Sequence, residues 1–155
     1  MRRAISVVLV AVLAIAACAL LWIRRDTAAL ESVRADAMAQ APALVEDLLT
    51  YTSEMVDRDL AAGAGGATGT FRDEFVEFSA TTVAPQSKVQ GISTSARVVD
   101  VGLLDTTRDR VELLMFVDQI TTSFAQPAPA SSSSRVQVAV ERVGDRWLVS
   151  ELTPI

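Results

Sequence analysis

From Ala4 to Ile23 the chain runs for 20 residues without a charge, with Ser6 its only hydroxyl. A helix of that length rises roughly 30 Å, the thickness of a bilayer's hydrocarbon core. Arg2 and Arg3 bound the run on one side, Arg24, Arg25 and Asp26 on the other, and Trp22 stands at the boundary, where an amphipathic ring prefers to sit. The run reads as a signal anchor, with 1–25 forming a short tip and the membrane span. Two rival readings are weaker. Ala17-Cys18-Ala19 fits a signal-peptidase site, but cleavage there would leave Leu20 to Ile23 exposed. Ile15-Ala16-Ala17-Cys18 resembles a lipobox with Cys18 as the acylated residue, yet Ala19 to Ile23 continues apolar where a lipoprotein turns polar. A small buried hydrophobe in a membrane helix is the plainer role for Cys18. Two Arg on each side leave the orientation nearly tied by charge.

The rest of the chain is short of reactive side chains. It has no His and no Asn, and its one Cys lies in the apolar run. Imidazole-activated nucleophiles, imidazole metal sites and N-linked glycosylation are therefore excluded. No metal or other cofactor is expected. Beyond Arg25, ten basic side chains face nineteen acidic ones, a formal charge of about −9. A surface of that sign repels nucleic acid, which is not an expected partner. About 130 residues can bury enough surface to fold without a disulfide.

Residues 26–40, Ala-rich and charged, read as a helical stalk, and 41–155 as a folded domain. Pro42 sits where a first helical turn tolerates it, and Leu44, Val45, Leu48, Leu49, Thr52, Met55, Val56 and Leu60 repeat at helical spacing. The small-residue run Ala61 to Thr70 ends that helix. Thr70 and Asp73 resemble a capping box, and Phe71, Phe75 and Phe78 line one face of a second helix reaching about Val83, resuming after Pro85. From Gln90 the period becomes two. Strands are expected over Ile92 to Leu104, Val111 to Thr122, Arg135 to Val143 and Trp147 to Leu152, with a loop from Ala125 to Ser134 and a two-residue turn at Gly144-Asp145. Helices first and an antiparallel sheet last is an α+β plan, the helices packed on one face of a curved sheet of about four strands.

An anchor, Leu-Leu-Thr-Tyr at 48–51, Ala-Thr-Gly-Thr-Phe-Arg-Asp-Glu-Phe at 67–75, Val-Asp-Gln at 117–119 and Val-Gly-Asp-Arg-Trp-Leu-Val-Ser-Glu-Leu at 143–152 follow one another in this order. In these features the chain resembles the Mce-associated membrane proteins of actinobacteria, which accompany the mammalian-cell-entry lipid importers. The resemblance implies a single-pass plasma-membrane protein with a cytoplasmic N-terminus. It implies an extracytoplasmic cystatin-like or nuclear-transport-factor-like roll, similar to a scaffold subunit of type IV secretion. It also implies a non-catalytic role in stabilising or assembling an importer.

Such rolls often enclose a pocket between helix and sheet. Tyr51, Phe71, Phe75, Phe78, Phe116, Asp118 and Trp147 are the residues this chain would bring to one. Asp118, mid-strand among Phe116, Val117 and Ile120, would be a usable base if buried, since burial raises a carboxyl pKa. The plainer role, an Asp118 paired with an Arg at a mixed sheet face, is favoured. The Phe stripe lines a lipid cavity on one reading and is ordinary core on the other. Asp105 and Asp109, interleaved with Arg108 and Arg110, lack the ligand count of a calcium loop and read as a solvated turn. Asp57, Arg58 and Asp59 read as a polar helix face, and Ser131 to Ser134 as a linker that could accept O-linked sugar. The leading expectation is a tethered, non-enzymatic interaction protein whose roll binds importer subunits or a copy of itself. The alternative is a lipid-binding carrier holding an apolar membrane lipid between helix and sheet.

Overall fold

A computed structural model describes residues 28–155; the apolar run 4–23, with Trp22, lies outside them. Among the described residues no helix is long and apolar enough to cross a membrane. The chain forms helix α1 (28–49), α2 (Val56–Ala64), α3 (Gly69–Phe78), a π-turn (Ser79–Val83) and α4 (Ala84–Gln90). Strands β1 (Ser93–Thr106), β2 (Arg110–Thr122), β3 (Ala130–Val143) and β4 (Arg146–Pro154) follow, in an antiparallel sheet of order β1-β2-β3-β4. The α+β plan of helices on a four-stranded antiparallel sheet is borne out.

The first helix departs from its expected course. Helix α1 runs unbroken through Pro42, which is interior and not in a first turn. One lost backbone bond, to the Met38 carbonyl, is outweighed by the stripe Val33, Ala37, Ala41, Val45 and Leu48, buried at a spacing of three to four. Val33 and Ala37, in the stretch expected to be a stalk, belong to the core cluster. The helix does not continue to Leu60: it stops at 49, and the chain restarts as α2 at Val56.

The break lets the end of α1 lie along the free edge of β1. Tyr51 and Thr94 exchange two backbone hydrogen bonds at 2.9 Å each. Thr50 Oγ1 then accepts the Ala96 N–H at 3.1 Å, and Glu46 Oε1 the Val98 N–H at 2.8 Å. Three alternate donors on the edge strand are thereby satisfied, which removes a template for pairing with another chain. On the opposite edge Thr68 N–H donates to Val149 O, and Val149 N–H to Gly66 O, at 2.8 Å each. The small-residue run thus does more than end a helix. Within it, Gly63 passes so close to α1 that a Cβ there would sit 2.6 Å from the Asp47 carbonyl oxygen.

Other local expectations are corrected. Helix α3 starts at Gly69 with Thr68 as N-cap and no side-chain cap bond, so Thr70 and Asp73 form no capping box. Ser131 to Ser134 are not a loop: they pair with Ile120 to Val117, so the β2–β3 hairpin is extended and its exposed serines find backbone partners on β2. Near the end of the chain a bulge between Ala139 and Val140 pairs them with Glu151 and Val149, leaving Ser150 over. Strict alternation would place Glu151 with Trp147 and Val149. The bulge instead turns Leu152 onto the core and leaves Glu151 outside, where it meets Arg110 at 3.2 Å.

Candidate functional site

Between the sheet, α1 and the α3–α4 arm lies a half-open groove of about 610 Å³. Four elements build it. The end of α1 contributes Leu48, Leu49 and, just beyond, Tyr51; α2 contributes Leu60; and the α3–π-turn arm contributes Phe71, Phe75, Phe78, Ser79 and Val83. The sheet side adds Ile92, Thr94, Gln119, Thr121, Leu152 and Pro154. No charged side chain lines it, although charged residues are 21% of the chain. Phe71 and Phe75 stand with ring centroids 6.3 Å apart and planes tilted by 41°, both half-buried against the core. Phe78, at 58% exposure, stands at the rim. The stripe therefore divides, two rings contributing to core and groove wall together and the third opening to solvent.

The shape of the arm over this groove follows from Pro85. Its nitrogen has no hydrogen, and its ring crowds the carbonyl four residues back, at Thr81. The chain responds by widening rather than breaking: Ala84 N–H bonds to Ser79 O, five residues back, and Ser79–Val83 forms a π-turn. The helix continues as α4 to Gly91, whose φ of 66° closes it in the left-handed region that glycine adopts without strain. Ser79 is turned inward by this arrangement. It is 7% exposed, and its Oγ is buried without a hydrogen-bond partner. At the sheet side the Thr94 and Thr121 hydroxyls stand 3.3 Å apart and bond each other.

The other residues expected at the pocket lie elsewhere. Phe116 and Asp118 face the opposite side of the sheet, lining a shallow depression with Val99, Ser133, Ser134, Arg135 and Ile155. The reason is the strand's alternation: Val111, Leu113, Met115 and Val117 turn inward and are fully buried, so Phe116 and Asp118 turn outward. Asp118 is exposed and accepts a hydrogen bond from Ser133 Oγ at 2.6 Å. The burial that would make it a base is absent. Its Cα partner on β1 is Arg97, in line with the mixed-face reading. Trp147 is not in the groove either. It is 3% exposed in the core, with the Arg142 guanidinium 5.1 Å from its ring centroid. Ser79, Ile92, Gln119, Thr121 and Leu152 were not singled out from sequence. Only Ser79 had a legible signal, a hydroxyl six residues before a proline in a helical stretch.

Around the Asp105–Asp109 turn the chemistry is structural. Arg110 bonds Glu141 at 2.8 Å, Glu112 at 3.3 Å and Glu151 at 3.2 Å, and donates to Ser150 Oγ at 3.2 Å. Glu141 foremost, with the other two carboxylates, raises the Arg110 pKa above its ordinary value. On α2, Asp59 accepts from Arg58 at 2.8 Å and from the Thr52 N–H at 3.1 Å. The Arg58 bond first, and then the Thr52 amide, lower its pKa below the usual carboxylate range. Asp59 thus ties the 50–55 link to α2. Among the described residues no group of three His, Cys, Asp or Glu side chains could hold a metal ion.

No family model matches the chain. Over 122 residues it is 32% identical to the outer membrane protein Rv1973 of Mycobacterium tuberculosis, covering 79% of this chain and 76% of that one. The chain belongs to the family of Rv1973. A second relative, the uncharacterized protein Rv1362c of the same organism, is 33% identical over 108 residues, 70% of this chain. This chain spans 49% of the length of Rv1362c. Among solved structures, the fold is shared with an IcmL-like type IV secretion system protein of Legionella pneumophila, at a TM-score of 0.66 and 11% identity over 79% of this chain and 93% of that one. A periplasmic fragment of TraM gives a TM-score of 0.65 at 10% identity, over 78% and 96%. The hexachlorocyclohexane dehydrochlorinase LinA gives 0.51 at 14% identity, over 85% and 93%. At these identities the likeness is one of fold. It agrees with the expected resemblance in fold to a type IV secretion protein.

Proposed function

We propose that this chain is a non-catalytic envelope protein that stabilises or assembles a lipid importer of the mammalian-cell-entry type. The apolar run 4–23 anchors it in the plasma membrane with its N-terminus in the cytoplasm, and the roll stands outside, where it binds importer subunits. The observation that carries this reading is the attachment of a charge-free run of 20 residues to a roll folded like the periplasmic domains of secretion assemblies. The name of Rv1973, an outer membrane protein, supports an envelope location. The exposure of Asp118, the one carboxylate considered as a base, supports the non-catalytic reading. Affinity capture of the full chain from membranes in mild detergent tests the proposal. Retained importer subunits support it, and their absence from a capture that recovers the bait in full overturns it. Protease added to intact spheroplasts should digest the roll and spare an N-terminal tag.

A further inference from the structure

Two neighbouring surfaces of this acidic domain carry no charge. One is the groove, whose wall mixes apolar side chains with neutral polar ones. Of five Phe, two Trp and one Tyr in the chain, Tyr51, Phe71, Phe75 and Phe78 line it, with half-buried Gln119 on the sheet side. The other is the β2–β3 hairpin: Gln119 to Ser134, 16 residues between Asp118 and Arg135, include no charged side chain. The tip of this hairpin is held in place. Phe124 N–H donates to Gln90 O at 2.9 Å, Gln126 N–H donates to Ser123 Oγ at 3.1 Å, and the Phe124 ring lies so close to Gly91 that a Cβ there would overlap it. Phe124 is nonetheless 74% exposed. Pro127 and Pro129 fix φ, and they hold Gln126 and Ala128 before them extended. A segment of this kind has polyproline II character, without internal hydrogen bonds and with its carbonyls free to accept.

We infer that the hairpin tip of one copy docks in the groove of a second copy. Pro127 and Pro129 pack on the Phe75 and Phe78 rings, while the Gln119 amide and the Tyr51 hydroxyl bond the free carbonyls of the segment. Aromatic-lined grooves take polyproline segments in this way. Each copy carries a formal charge of about −9 beyond Arg25, so repulsion leaves uncharged surfaces as the places where two copies can meet. The hairpin does not fill its own groove, because its contacts with Gln90 and Gly91 hold it outside. Both features stand at one end of the sheet: β2 runs from Thr121 in the wall into the hairpin, and Ile92 in the wall follows Gly91. One two-fold axis therefore lets each copy seat its tip in the other, which closes the assembly as a dimer. The contact goes beyond the importer reading and does not depend on it.

Sedimentation equilibrium of the full chain in density-matched detergent tests the inference. The parent should dimerise in the micromolar range. Ala128→Glu at the tip and Phe78→Glu at the rim each put a charge where the contact would desolvate it, and each should weaken dimerisation at least about tenfold. Both positions are exposed, so the unfolding temperatures should match the parent's. Mixing the two variants gives the sharper readout. The Phe78→Glu protein keeps an intact tip and the Ala128→Glu protein an intact groove, so the mixture should associate more tightly than either variant alone. The inference is overturned if the parent is monomeric, if either variant dimerises as the parent does, or if the mixture associates no better than its components. The last two results would assign self-association to the apolar run 4–23 or another face, and the groove to a different occupant.

Discussion

Glu46, near the end of α1, accepts the outward-facing backbone N–H of Val98 on the edge strand β1 at 2.8 Å, across 52 positions of sequence. With Thr50 on Ala96 and Tyr51 on Thr94, it converts the edge of the sheet into a seam with the helix. The Tyr51 link is backbone to backbone and survives most substitutions, whereas the Glu46 link depends on its side chain.

Glu46→Ala should therefore lower unfolding stability by about 1–2 kcal/mol, the cost of an unpaired, part-buried amide that has lost a charged acceptor. Glu46→Gln retains an acceptor and should cost about half as much. Urea unfolding of the two variants side by side checks the order; no loss in the alanine variant would mean that the hydrogen bond contributes nothing. The alanine variant should also show more concentration-dependent self-association, because part of an edge strand is uncovered.

Gly63→Ala sets two effects against each other. Alanine is favoured over glycine in a helix by roughly 1 kcal/mol. The new Cβ would stand 2.6 Å from the Asp47 carbonyl oxygen, which is backbone and cannot turn aside. The clash should win, with a net loss of about 1–3 kcal/mol by analogy with overpacked cores. Gly69→Ala is the contrast: open space surrounds that Cβ, and only the strain of a φ of 60° opposes it, about 1–2 kcal/mol. A Gly63→Ala protein more stable than its parent would show that α2 is free to move off α1.

Asp59 predicts an acid sensitivity. Its folded pKa is lowered, chiefly by Arg58 and then by the Thr52 amide, while the unfolded carboxyl titrates near the ordinary value of about 4. Its contribution is present in full above that value, because the unfolded chain takes up the proton first. It is lost as pH falls from about 4 through the lowered folded pKa. Asp59→Asn should therefore lower stability near neutrality and flatten the stability-against-pH curve below about pH 4, so that parent and variant converge at the acid end. A variant as stable as the parent at neutral pH, or one whose stability falls as steeply below about pH 4, would count against the assignment.

Asp118→Asn should be nearly silent. The side chain is exposed and an amide oxygen can still accept from Ser133 Oγ, so stability should change by no more than about 0.5 kcal/mol. Under the proposed importer role, capture of importer subunits and complementation of a deletion strain should match the parent. Loss of complementation with normal stability would restore Asp118 as a functional group.

The residues that could be placed from sequence share a property: their neighbours along the chain decide them. Val136, Val138 and Val140 alternate with polar residues and face the core, and Phe71 and Phe75 meet on one side of a helix. Where a distant segment intervenes, local periodicity fails. Leu48 to Leu60 has helical spacing throughout, yet the hydrogen bonds between Tyr51 and Thr94 interrupt it. Ser131 to Ser134 has a linker's composition, yet β2 supplies its backbone partners. Of the seven residues expected at a pocket, Tyr51, Phe71, Phe75 and Phe78 reach the groove. Phe116 and Asp118 fall on the far face, and Trp147 in the core.

By itself the sequence determined the plan of helices before an antiparallel sheet, the acidic balance, the charge-free run fit to span a bilayer and the absence of imidazole chemistry. These are matters of composition and of spacing within one element, which a chain carries whether folded or not. Only the tertiary structure decided which hydroxyl is buried without a partner, which strand edge is covered and which side of β2 meets the helices. Each of these depends on how far apart segments come to rest once the core excludes water, and a single bulge of one residue, as at Ser150, is enough to reverse a face.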